Sequence, residues 1–431
     1  MQGLEETTAK MVLSAVILVF MFAMLVFSRI HRTLIGLFAA CAVLASHITP
    51  FEKIITHIDM NVLMLLTAMM LIVTITRTTG LFQFIAIKSA KLAGGDPLRL
   101  LLLFGVITAL VSAFFDNVTT VLLISPITLL VCAEFRISPI PFLISQAVAS
   151  NFGGVATLIG DPPNIMIGSA ADLSFNQFII HLAPLVVVVI SFYALLLRLT
   201  YRKKVGYTSA VIRARLATMD ERKSITNKKL LFWSLVVLFM TLVGLALHAM
   251  LKLEAGVIAL CGATLLLLIS RADIVKILEE LELSTLLFFI CLYIVIGASF
   301  ESGLLKRAGN LLANIAPRDE FLFSIMVMWI SAFLSALTGS VPLTAIMIPL
   351  IKTLPNSNPS PHSLWWALAI GAGFGGNMTL IGAAANLAVA GIAERSGHQI
   401  TFKSFFLHGA PITLLALTIA SFYLFLRYFL W

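Results

Sequence analysis

Charge is scarce in this sequence: of 431 residues, 11% are Asp, Glu, Lys or Arg, against 60% hydrophobic. Soluble globular chains carry about 25% charged residues, so that class is excluded and a polytopic membrane protein remains. Cysteine is scarce too. Cys41, Cys132, Cys261 and Cys291 lie scattered in apolar segments without metal-ligand spacing, which makes them packing residues. No phosphate-binding loop ending in Lys-Ser or Lys-Thr occurs, so ATP does not drive the chain directly, and no enzyme signature is present. Long polar stretches are absent except for one, "YRKKVGYTSAVIRARLATMDERKSITNKK" (201–229). Basic residues crowd there, so the net charge of +9 points to membrane topology and not to nucleic acid.

What fills the chain is long apolar runs. "MVLSAVILVFMFAMLVF" (11–27), "PLVVVVISFYALLL" (184–197) and "ALCGATLLLLI" (259–269) approach the ~20 residues of a spanning helix. They are far too long for barrel strands, and lipid demands internally satisfied backbone, so the fold expected is all-α. The first run lacks a small-residue cleavage site before "RIHR", which predicts a retained helix and not a signal peptide.

The chain repeats itself. "SAFFDNVTTVLLISP" (112–126) aligns without gaps to "SALTGSVPLTAIMIP" (335–349) at an offset of 223. Nearly the same offset pairs "IDMNVLMLL" (58–66) with "LELSTLLFF" (281–289), and "NFGGVATLIGDPPN" (151–164) with "GFGGNMTLIGAAAN" (373–386). The predicted organisation is a first repeat over 1–201, a basic linker over 202–229 and a second repeat over 230–431. Each repeat is expected to hold five spans, one of them interrupted (139–170 and 363–393), plus a re-entrant hairpin (98–135 and 321–352). Five is odd, so the second copy must enter the membrane inverted. With the linker cytoplasmic and both termini outside, the 29 Lys and Arg divide as 21 inside and 8 outside, as the positive-inside rule asks.

Inverted repeats with broken helices place a transport site where the breaks meet. Asp116, Asn117, Thr119 and Thr120 cluster in sequence instead of following one helical face, which marks a hairpin tip. An acid at membrane depth suggests proton or cation coupling, against the plainer reading of Asp116 as an N-cap. Asp161 before Pro162 reads evenly as a helix cap or a second coupling acid. Candidate substrate contacts are Asn117, Thr119, Thr120, Asn151, Thr157, Asn164, Ser340, Asn377, Thr379 and Asn386. Asn164 and Asn386, like Thr157 and Thr379, occupy matched repeat positions, where helix-to-helix hydrogen bonding is the alternative. Glu301 and Glu394 read as solvated charges at span ends, and His181 and His408 as interfacial structure.

At "DNVTT", "NFGGVATLIGDPPN" and "GAGFGGNMTLIGAAANLAVAGIAE" the chain resembles the ArsB/NhaD permeases of the ion transporter superfamily, in particular the branch of arsenite efflux proteins and the melanosomal P protein. It is similar, more distantly, to the divalent anion:sodium symporters, whose tips bear Ser-Asn-Thr. The resemblance covers essentially the whole chain. It implies a homodimer in the inner membrane, each protomer with a scaffold and a transport domain working by alternating access. The chain departs from the family at its second tip, where Thr338-Gly339-Ser340-Val341-Pro342 replaces the expected acid and asparagine, and Ala383 faces Asp161 in the repeat.

The expected function is secondary active transport, with proton-coupled export of arsenite or antimonite first. Arsenite is a neutral trihydroxide near neutral pH and suits a pocket of Asn, Thr and backbone groups. Na+/H+ antiport, cation-coupled transport of an organic or inorganic anion such as a dicarboxylate or citrate, and an ion channel stand as alternatives. Expected partners are the lipid bilayer, a small solute and, for an arsenite pump, a soluble ATPase. No cofactor or metal is expected beyond the coupling ion, H+ or Na+.

Overall fold

The computed structural model describes residues 2–28, 30–202, 221–315, 317, 319–354 and 361–430. Residues 203–220, most of the expected linker, lie outside the described residues. Every regular element among the described residues is helical, and the chain is an all-α polytopic membrane protein. The first half contributes α1 (Gln2–Phe27), α2 (Arg32–Ala45), α3 (Phe51–Ile55), α4 (Met60–Thr78), α5 (Leu81–Leu92), α6 (Pro97–Ser112), α7 (Asn117–Phe135), α8 (Ile140–Gly154), α9 (Pro162–Ala171) and α10 (Phe175–Tyr201). The second half continues with α11 (Lys228–Leu251), α12 (Ala255–Ser270), α13 (Ile274–Glu279), α14 (Leu283–Glu301), α15 (Leu304–Ile315), α16 (Glu320–Thr338), α17 (Ser340–Lys352), α18 (Pro361–Gly375), α19 (Ala384–Arg395) and α20 (Phe402–Leu424). The order of long, short, paired and broken helices is thus the same in both halves.

Local chemistry sets the boundaries. Asp59 starts α4 by accepting the Val62 amide at 3.1 Å, and Gly80, at φ +82°, ends it. Pro97 opens α6 under an Asp96 cap, and Ser174 and Gln177 close a reciprocal capping box on α10. Among the described residues, eight helices are long and apolar enough to cross a bilayer, and four apolar helices are shorter, including α2 and α12. A helix as short as α2, 14 residues, rises only ~21 Å, less than a bilayer core of ~30 Å.

The halves interlock by exchange. The short α2 packs on α14 of the other half, and α12 packs on α4 in return. Thr33 donates to the Ser284 carbonyl at 2.8 Å, and the Gly256 amide to Asn61 Oδ1 at 2.7 Å. The same reciprocity holds deeper, where α7 meets α19 and α17 meets α9. Within each half the first hairpin arm lies along the first part of the broken helix, α6 on α8 and α16 on α18. A Cβ at Gly153 would come within 2.1 Å of the Ala109 carbonyl, and one at Gly375 within 2.3 Å of the Ala332 carbonyl. Glycine is what lets these backbones touch.

Candidate substrate and coupling site

Four breaks in helix supply the site: the turn between α6 and α7, the unwound segment between α8 and α9, and their counterparts between α16 and α17 and between α18 and α19. In the first half, Asn164 Nδ2 donates to the Thr157 carbonyl at 2.8 Å and reaches the Val155 carbonyl at 3.2 Å. In the second, Asn386 Nδ2 donates to the carbonyls of Thr379 and Gly376, both at 2.8 Å. Thr157 and Thr379 tie each unwound segment to its own hairpin by donating to the Ala113 and Ala336 carbonyls. These four matched residues hold the breaks open and fixed, as buried backbone groups require partners.

Between the halves runs a chain of amides. Asn117 Nδ2 donates to Asn151 Oδ1 at 3.1 Å, and Asn151 Nδ2 donates to Asn377 Oδ1 at 2.8 Å and to Asn386 Oδ1 at 3.0 Å. Gly154 makes room for this chain, since a Cβ there would lie 2.3 Å from Asn117 Oδ1. Asn377 Nδ2 in this chain and Asn164 Oδ1 at the first-half break are buried without a hydrogen-bond partner. A buried unpaired donor and acceptor cost about 1–3 kcal/mol each, which a polar ligand would relieve.

The two acids differ. Asp116 caps α7 fully: Oδ1 accepts the amides of Val118 (2.9 Å) and Thr119 (3.1 Å), and Oδ2 accepts the Thr119 hydroxyl. Asp161 occupies the cap position of α9 and caps nothing. The reason is in the sequence after it. A capping side chain accepts from the second or third helical amide, but the second residue is Pro163, which has no N–H. The third amide, of Asn164, is engaged by the Asp161 carbonyl at 2.9 Å. The Asp161 side chain, 3% exposed, therefore faces the Asn117 amide and the second-half break. There Asp161 Oδ2 lies 3.5 Å from where a Gly373 Cβ would stand. Among the described residues no salt bridge reaches it.

In the second half the pattern is reversed. Neither Gly339, at φ +90° before α17, nor Ala383, before α19, offers a side-chain cap. Those N-terminal amides lack a capping carboxylate. Of the remaining expected residues, the Thr120 hydroxyl is buried without a partner. The Ser340 carbonyl accepts the Thr344 hydroxyl at 2.8 Å within α17, a local bond apart from the amide chain.

Sequence reasoning missed a small cleft lined by Thr74 and Arg77 of α4, Thr119 of α7, and Glu280 and Glu282 before α14. Glu282 was within reach, because the internal repeat pairs it with the helix-starting Asp59. Glu301, expected to be a solvated charge, is exposed and meets His57 at 2.9 Å. His181 stacks on Trp366 with ring centroids 4.7 Å apart and shares its Nδ1 with Tyr428.

Comparison with known proteins places this architecture. The family model described as "Citrate transporter" (CitMHS) matches residues 22–371. An uncharacterized transporter of Mycobacterium tuberculosis is 38% identical over 430 residues, covering 97% of this chain and 99% of the relative. The "46 kDa membrane protein" of Mycobacterium leprae is 37% identical over 424 residues, with 97% and 99% covered. The human P protein is 30% identical over 509 residues; the match takes in 98% of this chain but 60% of the P protein. Among solved structures, the YdaH transporter of Alcanivorax borkumensis superposes with a TM-score of 0.58 at 17% identity over 97% of both chains, a likeness of fold.

Proposed function

The chain belongs to the citrate transporter family, within the ion transporter superfamily, and we propose that it couples proton movement at Asp161 to transport of a small oxygen-rich anion. It is a secondary transporter and not an enzyme. The observation that carries the anion reading is the opposed chemistry of the two broken helices. The first half presents a carboxylate without backbone amides to cap, at Asp161 before Pro162-Pro163, and the second half presents backbone amides without a carboxylate, at Ala383 before α19. An unpaired acid in low dielectric takes up a proton or cation, while uncapped helix N-termini favour oxyanions. Asn377 Nδ2 adds a donor and Asn164 Oδ1 an acceptor for a substrate hydroxyl.

The geometry also supports a coupling rule. Asp161 borders the second-half break, so an ionised carboxylate and an anionic substrate repel each other there. Protonation removes that repulsion, and proton and anion bind together, which is symport. Asp116, engaged in capping, positions the first tip, and Asn117, Asn151 and Asn386 link the halves. In this reading the protein sits in the inner membrane as a homodimer with the linker cytoplasmic and both termini outside. Arsenite or antimonite export stands as a second reading, favoured by an amide chain whose own members, Asn117, Asn151, Asn377 and Asn386, are uncharged.

Everted vesicles with an imposed pH gradient test this. With the acid side outside, dissipation on adding citrate or a dicarboxylate is the expected result, since symport carries the proton inward with the anion. With the acid side inside, dissipation by arsenite or antimonite alone selects the second reading. A response to sodium alone, or current without a pH change, overturns both in favour of an antiporter or a channel.

A further inference from the structure

Beside the first tip, the scaffold carries an arginine that the transport scheme above does not use. Arg32 opens α2, and its guanidinium is held in place by Thr285, to which Nη2 donates at 2.9 Å, and by the Phe288 ring, whose centroid lies 5.8 Å from Cζ. Thr285 in turn donates to Glu282 Oε2 at 3.1 Å. Glu282 lines the cleft together with Thr119, the residue that donates its hydroxyl to Asp116. Arg32 lies within electrostatic reach of both Asp116 and Glu282, and among the described residues it makes no ion pair within 4 Å. The other arginine of the cleft, Arg77, is engaged by Glu280 at 2.7 Å. The charged groups around the tip are then Arg32, Glu282, the Arg77–Glu280 pair and, from the far side, Asp161.

Coordination chemistry adds a second argument. An ionised carboxylate offers about four lone-pair sites, and three of those on Asp116 are taken by two amides and a hydroxyl. One site is left for a cation, and Arg32 is the cation within electrostatic reach of it. The counterpart of Arg32 in the repeat, at the start of α12, is Ala255, and the second tip has no acid, so the cation and the acid it answers occur together in one half only.

We propose that Arg32 is the resident cation of the first hairpin tip, standing in for a bound sodium ion, so that Asp116 remains charge-compensated without metal. The consequence that coupling falls to Asp161 alone rests on the function proposed above. The claim about the tip does not, and it is tested by binding in the absence of transport.

The experiment measures thermal unfolding of the purified full chain in sodium chloride and in choline chloride at equal ionic strength. The parent is expected to unfold at the same temperature in both. Arg32→Gln is expected to gain a sodium-specific rise of about 2 °C or more, because a ligand that binds only the folded state stabilises it. The Arg32→Gln, Asp116→Asn double variant should lose that rise. Sodium-specific stabilisation of the parent that Asp116→Asn abolishes overturns the proposal, as does a folded Arg32→Gln that ignores sodium. If Arg32→Gln does not fold, neutralising its uncompensated partner should rescue it, so recovery of folded protein in the double variant supports the proposal and continued misfolding overturns it. A failed transport assay would overturn the proposed function while leaving these outcomes unaffected.

Discussion

Asp116 and Asp161 each stand immediately before a half-helix in the first half of the chain, and they do opposite things. Asp116 has donors on both oxygens; Asp161 has no capping hydrogen bond. The next three residues make the difference. Asn117-Val118-Thr119 gives the chain amides to offer at the second and third helical positions, whereas Pro162-Pro163 removes one and leaves the other to the backbone. The same comparison across the halves shows Ala383-Ala384-Ala385 keeping the amides and lacking the acid. Two copies of one unit have therefore kept a common scaffold and divided the chemistry.

That claim breaks first at the scaffold. If the halves share their packing, Gly153→Ala and Gly375→Ala should fail alike, since each adds a methyl group within 2.1–2.3 Å of a backbone carbonyl. Each should cost about 3 kcal/mol or more and remove most folded protein, read as monodisperse yield on size-exclusion chromatography. Unequal losses would mean that the two hairpins are not held alike.

The next effect separates the acids. Asp161→Asn should abolish gradient-driven accumulation in vesicles and leave thermal stability within about 0.5 kcal/mol, because no cap is lost. Asp116→Ala should do the reverse in stability, losing about 1 kcal/mol of helix capping. A fall in stability for Asp161→Asn equal to that of Asp116→Ala would reduce Asp161 to a structural residue.

A smaller effect tests the amides of the second half. Ala383→Asp places a carboxylate on them, and an anion should then bind roughly 5- to 30-fold more weakly, from ~1–2 kcal/mol lost at a helix terminus. Ala383→Asn occupies the same donors without charge and should weaken binding less. Equal KM values for the two variants and the parent would show that the substrate does not use this terminus.

Much of this fold is legible in the sequence alone. Apolar runs and the 223-residue offset carry the helix order and the breaks, because periodicity and self-similarity are local properties of a sequence. The amide residues are legible too, as polar groups clustered against an apolar background. Asp161 is misleading: Asp-Pro-Pro announces a helix start, yet the second proline deletes a donor the cap would need. The contact of Arg32 with Thr285 is not visible in the sequence, since the two are 253 residues apart and nothing local to "RIHRTLIG" distinguishes Arg32 from a topology-setting charge.

The smallest predicted effect is the sharpest on the contrast between the two acids. Pro163→Ala restores the second helical amide of α9 and so lets Asp161 cap as Asp116 does. Capping should contribute about 1 kcal/mol, and losing the proline's restriction of the unfolded chain should remove about 0.4–1 kcal/mol, so the melting temperature should scarcely move. Transport should fall all the same, because a carboxylate held by an amide no longer exchanges its proton freely with the substrate's arrival. Pro162→Ala is the control: it restores only the first amide, which a cap does not use, and should leave transport at the parent rate. Should both variants transport like the parent, the missing donor at Pro163 is not what frees Asp161, and its uncapped side chain must be held away from the helix by Asn117 and the tight fit at Gly373 instead.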